Sequence, residues 1–195
     1  MKIILASNSP RRKELLGGLG VDFEVKVMNG VDESYPQTLP ANEVAEYIAI
    51  EKANAYQVEP DELLITADTV VIVGNDILGK PKDAADAQRM LHEISGRTHQ
   101  VVTGVCLTTK YEQRHFSVST DVTFKQLTDD EIEFYIRNHR PFDKAGAYGI
   151  QEWIGYIGVT ALNGSYYNVM GFPVQRVYEE LTQHFGVELL RSKKL

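Results

Sequence analysis

The chain has 195 residues, 20 of them Lys or Arg and 27 Asp or Glu, for a net charge of -7. At about 150 residues per domain this length points to one large domain or one domain with two lobes. That length excludes a mini-protein held by staples, and an apolar share of 43% with 24% charged residues is well away from the signature of disorder. The acidic balance speaks against nucleic acid and anionic membrane surfaces as partners. A single cysteine, Cys106, rules out an internal disulfide and a cysteine-based zinc site, which fits a reducing compartment such as the cytoplasm.

The opening run 2–6 is apolar and β-forming, far too short for a membrane span, and Ser7-Asn8-Ser9-Pro10 ends it with turn chemistry before a helical pattern over 11–19. A strand is expected at 23–27 and a long loop over 28–40. Helical spacing marks 42–56, a strongly β-forming run fills 63–73, a hairpin turn sits at Gly74-Asn75-Asp76, and 83–94 is again helical. Two β-branched runs, 98–109 and 116–124, read as an antiparallel pair, and 128–137 opens a helix with acids in its first turn. The spacing then predicts a strand at 154–161 and a closing helix over 173–184. No repeat or linker-like run interrupts the sequence, so a single domain over 1–195 is expected, with a mixed sheet flanked by helices.

Three segments carry chemistry. Ser9 is a good helix N-cap and Pro10 suits the first helical position, so the following N–H groups form an anion-attracting end, yet three cations, Arg11, Arg12 and Lys13, crowd that first turn. Either a phosphate resolves the conflict or the cations project into water. Lys52 falls inside the apolar stripe of the second helix, between Ile48 and Tyr56, where it must snorkel out or meet an anion. Asp68 interrupts the run 63–73 and needs a cation, a metal or several donors; a carboxylate there can hold Mg²⁺, accept a proton from an attacking water, or serve as a structural cap. In a regular strand Asp68 and Thr69 point to opposite faces, so both could face one ligand only if the chain bends.

Weaker signals lie elsewhere. Gly74 to Pro81 has the glycine and lysine spacing of a P-loop, but Pro81 stands where Ser or Thr is required, which excludes that motif and leaves Lys80 as a basic point near the next helix. The segment Asp143-Lys144-Ala145-Gly146-Ala147-Tyr148-Gly149-Ile150-Gln151 has glycines that permit close approach of backbone to a ligand, or simply form a loop. Cys106 lies in a strand-like run and reads as a core thiol, and no histidine or nucleophile-elbow motif points to covalent catalysis.

Taken together, Ser7-Asn8-Ser9-Pro10-Arg11-Arg12, Glu33, Lys52, Ala67-Asp68-Thr69-Val70-Val71, Gly79-Lys80-Pro81, Ser95-Gly96 with His99 and Thr103-Gly104-Val105, the segment from Asp143 to Gln151, and Gly164-Ser165-Tyr166 resemble the Maf family of nucleoside triphosphate pyrophosphatases over nearly the whole chain. The resemblance implies a two-lobed α/β fold around a long mixed sheet with a central nucleotide cleft, a homodimer, and hydrolysis of the α–β phosphoanhydride with Mg²⁺ or Mn²⁺. It implies Asp68 as proton acceptor, Ser7, Arg12, Lys52 and Lys80 as substrate-binding groups, and Glu33 with Asp68 at the metal. Arg11, Thr69 and Gln151 match the three positions that go with dTTP and UTP rather than 7-methyl-GTP. The segment Glu152-Trp153-Ile154 departs from the usual pattern. Two other roles stay open at this point: the 7-methyl-GTP specificity, and a nucleotide-binding regulator of septum formation. The net charge is compatible with a triphosphate partner, since the first 13 residues hold Lys2, Arg11, Arg12 and Lys13 and no acid.

Overall fold

The computed structural model describes residues 1 to 189. Its sheet has seven strands: β1 (Lys2–Leu5), β2 (Phe23–Val25), β3 (Glu62–Val73), β4 (Asp76–Leu78), β5 (Thr98–Thr108), β6 (Gln113–Phe124) and β7 (Val159–Asn163). The order is β2-β1-β3-β5-β6-β7, with β4 on β3 as well. β1 runs parallel to β2 and β3, joined through crossover helices α1 (Pro10–Gly18) and α2 (Ala41–Asn54), and the remaining pairs are antiparallel. The crossovers come where apolar runs alternate with helical spacing, and the antiparallel pairs where β-branched runs are joined by short polar turns.

The position of the site follows from one irregularity. On one edge β3 is paired continuously with β5 from Leu64 to Ile72. On the other edge it pairs with β1 only from Glu62 to Ile65 and with β4 only from Val71 to Val73. Between them, Thr66 to Val70 have no strand neighbour on that edge among the described residues, so the sheet is split there. Each side of the split has its own core. Ile3, Leu5, Leu63 and Ile65 pack with Leu16 of α1 and Phe172, while Val71, Val73 and Val101 pack with α3 (Ala84–Ile94) and α4 (Asp129–His139). These two cores make two lobes, and long β3, β5 and β6 run through both.

The opposite face of the sheet is covered by α2. Its stripe Val44, Ala45, Ile48, Ala49 and Ala53 packs on Val70, Ile72, Val102, Leu64 and Cys106. A methyl group at Gly104 of β5 would overlap the backbone of Ala45 and Glu46, so only glycine lets the helix lie this close. Cys106 is fully buried in that layer, as a core thiol should be.

Two expectations need correction or trimming. The strand read at 154–161 is instead a short helix, α5 (Trp153–Gly158), followed by β7. Gly155 lies against the Ile150 carbonyl and Gly158 against the Phe124 ring, contacts that a Cβ would block. Close packing of small residues therefore overrides the β-propensity of the surrounding isoleucines. The closing helix 173–184 is α7 (Val174–Glu179) running on into a π-type turn (Glu180–His184), and the short α6 (Tyr166–Val169) precedes it. The other elements match their expected places within a few residues, including the Ser9 cap with Pro10 at the first helical position, and a capping box joins Thr128 and Glu131. Among the described residues no helix is long and apolar enough to cross a membrane.

Candidate functional site

A cavity of about 810 Å³ opens at the split in the sheet, a volume suited to a small-molecule ligand. Its floor is β3 from Ala67 to Val71, and its walls come from the loop after β1, the long loop after β2, and the segment from Asp143 to Gln151. The strand has no bulge at Asp68: its register with β5 is unbroken. Asp68 and Thr69 nevertheless both line the cavity, because the missing neighbour strand exposes the edge of β3 and lets the cavity reach around it to both faces.

On the α2 face, Lys52 turns inward from the apolar stripe and places its ammonium 2.7 Å from Asp68 Oδ1 and 2.8 Å from Glu33 Oε1. The anion demanded by a lysine in that stripe is thus a pair of carboxylates. Burial pushes the Glu33 carboxyl up, but the hydrogen bond and charge of Lys52, with the charges of Lys80 and Arg12, outweigh it and hold the group below the usual carboxylate range. Lys80 is exposed on the cavity wall.

On the other face, the two arginines of α1 turn into the protein. Arg12 donates from Nε to Gly171 O at 2.8 Å, from Nη1 to Ala67 O at 2.9 Å and from Nη2 to Thr69 Oγ1 at 3.0 Å. Burial lowers its pKa, although the charge of Asp68 opposes the shift. Arg11 donates to Met170 O and to Asp143 Oδ2, each at 3.2 Å. The conflict between cations and the helix start is therefore resolved in part by backbone carbonyls. Ser7 Oγ accepts from the Ser9 N–H, fixing the loop that brings both arginines to the cavity. Gln151 lines the far end, with its Oε1 buried and without a hydrogen-bond partner.

The fold thus brings Ser7, Arg11, Arg12, Glu33, Lys52, Asp68, Thr69, Lys80 and Gln151 to one cavity. Sequence reasoning missed the scaffold behind Thr69. Its hydroxyl is 2.9 Å from that of Thr103, which donates to Asn168 O, and the buried Asn168 amide donates to Val101 O, Val118 O and Thr120 Oγ1. The one signal for Asn168 was a carboxamide next to the apolar pair Val169-Met170. A divalent metal fits Asp68 and Glu33 in one respect: the two carboxylates already converge on a cation, the Lys52 ammonium, and both offer hard oxygen donors. Among the described residues no group of three or more His, Cys, Asp or Glu side chains surrounds a metal-sized space. An ion held here would complete its shell from ligand and water, as Mg²⁺ characteristically does.

A family model described as "Maf-like protein" matches residues 2–184. A dTTP/UTP pyrophosphatase of Phocaeicola vulgatus is 62% identical over 182 residues, which cover 92% of this chain and 94% of that one. A dTTP/UTP pyrophosphatase of Bacteroides fragilis is 57% identical over 184 residues, covering 93% and 95%. A solved HAM1 protein from Coxiella burnetii aligns over 94% of this chain and 99% of its own, at 15% identity and a TM-score of 0.45.

Proposed function

The chain belongs to the Maf family, and from that premise we propose that it hydrolyses the α–β phosphoanhydride of dTTP and UTP, releasing the nucleoside monophosphate and pyrophosphate. The observation that carries this reading is the Asp68 carboxylate on the floor of a cavity lined by Arg12, Lys52 and Lys80. A triphosphate brings about four negative charges, and its cleavage needs fixed positive charge for the leaving pyrophosphate, an aligned water and a base for that water. Asp68 is the proton acceptor for the water. Arg12 uses three of its five N–H donors on the protein and keeps two for phosphate oxygens. Lys80 and Ser7 bind the phosphates from the cavity wall. Lys52 holds Asp68 in place and offers its remaining donor valence to the phosphate chain.

Asp68 and Glu33 are the groups that hold Mg²⁺ or Mn²⁺, which when bound neutralises charge developing on the phosphate oxygens. At the base end, Arg11, Thr69 and Gln151 select uracil and thymine. The reading carries three further expectations. The chain is one domain over 1–195, it forms a homodimer measurable by light scattering, and it works in the cytoplasm, where a single buried thiol suits the reducing conditions.

The test is pyrophosphate release from a panel of dTTP, UTP, CTP and 7-methyl-GTP with Mg²⁺ or Mn²⁺, scored by kcat/KM. Preference for dTTP and UTP supports the proposal. Leading turnover of 7-methyl-GTP would overturn the specificity, and tight nucleotide binding with no pyrophosphate would overturn hydrolysis in favour of a regulatory role.

A further inference from the structure

The segment Glu152-Trp153-Ile154 stands beside Gln151, and the proposed catalytic scheme gives Glu152 no part. Its carboxylate nevertheless sits at the centre of a partly buried polar network. It accepts from the Tyr135 hydroxyl and lies 3.1 Å from the Lys144 ammonium. Tyr135 is fully buried, and its oxygen also accepts the Gly149 N–H at 3.0 Å. The main chain closes the same turn, with the Glu152 N–H donating to Gly149 O at 3.0 Å. A Cβ on Gly149 would stand 3.0 Å from the Glu152 carboxyl carbon and 3.1 Å from the Lys144 side chain, so the two side chains are packed directly over that glycine.

The network continues through Lys144 to Arg11. Lys144 is only 8% exposed and pairs with Asp143 at 2.7 Å, and Asp143 in turn accepts from Arg11. Burial pushes the Asp143 carboxyl up, but Lys144 and Arg11 more than compensate and keep it below the usual carboxylate range. An unbroken chain of polar contacts therefore runs Arg11, Asp143, Lys144, Glu152, Tyr135, Gly149. It starts at Arg11, one of the three residues assigned to base selection, and ends at Gly149 in the turn that carries Gln151, a second. The turn is pinned from the apolar side as well, since Ile150 is buried in the core and Gly155 rests against its carbonyl. Gln151 is the member of this turn whose side-chain oxygen is left over.

We propose that Glu152 is a positioning residue for base selection: through Tyr135 and Lys144 it locks the Gly149–Glu152 turn and fixes where Gln151 presents its amide. A partly buried carboxylate with two strong partners, one of them the fully buried Tyr135, has little freedom to shift, and a turn tied to it inherits that rigidity. Rigidity matters because discrimination between uracil and cytosine depends on one donor or acceptor meeting a group held within a fraction of an ångström. The assignment of Gln151 to the base rests on the function proposed above; the locking of the turn does not.

The test therefore has two arms. In the first, amide hydrogen exchange is measured on the unliganded wild type and on Glu152→Ala, Glu152→Gln and Tyr135→Phe. Exchange at Gly149 to Gln151 rises about tenfold or more in Glu152→Ala and Tyr135→Phe, and Glu152→Gln, which can still accept from Tyr135, stays near wild type. Unchanged exchange in both of the first two variants overturns the lock, whatever the protein's substrate. In the second arm, Glu152→Ala raises KM for UTP about tenfold with a much smaller change in kcat and narrows the UTP to CTP preference by a similar factor, with Glu152→Gln recovering most of both. A lower Tm with KM and the preference ratio unchanged would mean a purely structural role and overturn the proposal. Absence of turnover in the wild type would count against the proposed function, and the exchange arm would then decide the lock alone.

Discussion

The two faces of β3 at the split are built on different principles. On the α2 face, one ammonium holds two carboxylates, and one of these, Glu33, is half exposed on a long loop. On the other face, Arg12, Thr69, Thr103 and Asn168 form a continuous set of bonds that ends mainly on backbone carbonyls. Ion pairs reaching solvent can exchange one cation for another at modest cost, whereas bonds to backbone cannot be released without moving the strand. One wall is thus suited to exchanging metal and water during a reaction, and the other to holding a fixed shape against which phosphate and base are positioned.

The sharpest way to break this contrast is at Asp68. Asp68→Asn keeps the shape and a hydrogen-bond acceptor for Lys52 but removes the proton acceptor. Pyrophosphate release from dTTP should fall by about three orders of magnitude with Tm nearly unchanged. Near wild-type turnover would take Asp68 out of the mechanism. Next in size is Lys52→Met, which retains the packing of the side-chain stem and deletes the charge. Turnover should drop about a hundredfold, while binding of free Mn²⁺, followed by electron paramagnetic resonance without nucleotide, should tighten about fivefold because two carboxylates lose their resident cation. Weaker Mn²⁺ binding in that variant would show that Asp68 and Glu33 do not share a cation site.

On the opposite wall the expected effects are smaller and of another kind. Arg12→Lys keeps the charge but cannot reproduce three directed N–H bonds to Gly171, Ala67 and Thr69. A loss of about one order of magnitude in kcat/KM and about 2 kcal/mol in stability is expected, the second measured by chemical denaturation. A loss of activity as large as that of Lys52→Met with no loss of stability would mean that Arg12 acts chiefly on substrate.

These contrasts were unevenly legible in the sequence. Asp68 inside an apolar strand and Lys52 inside an apolar helical stripe are local violations of patterning, and each could be found from its neighbours alone. The strand–loop–helix opening was equally local, since Ser9 and Pro10 carry it. The partners of Arg12 were not legible: Gly171 lies 159 positions away and contributes only a carbonyl, which every residue has. How Asp68 and Thr69 reach one cavity was also hidden, because the answer is a missing neighbour strand and not a bulge in their own. The helix at Trp153–Gly158 was misread for a related reason, as its glycines answer to Ile150 and Phe124 in space and leave no mark in local periodicity.

The last effect concerns stability alone, without a change in the chemistry, and it bears on how the fixed wall depends on pH. Tyr148 lines the cavity, and behind it His99 is 2% exposed, with Nε2 2.7 Å from the Tyr148 hydroxyl and its ring against Phe124. Burial pushes the His99 pKa down from 6.5 to about 4. The folded protein therefore resists a proton that the unfolded chain accepts. This contribution is fully present above about pH 6.5 and is lost as pH falls from 6.5 toward 4, up to about 3 kcal/mol in all. Carboxylates held low by their cations, such as Glu131 and Glu180, also lose stability on acidification, so the wild-type slope alone does not isolate the histidine. The difference between wild type and His99→Asn does. Denaturant midpoints measured from pH 7 to pH 4.5 should fall more steeply for the wild type, with the two curves converging at the acid end. Parallel curves would mean that His99 titrates normally and that the wall behind Tyr148 admits a charge.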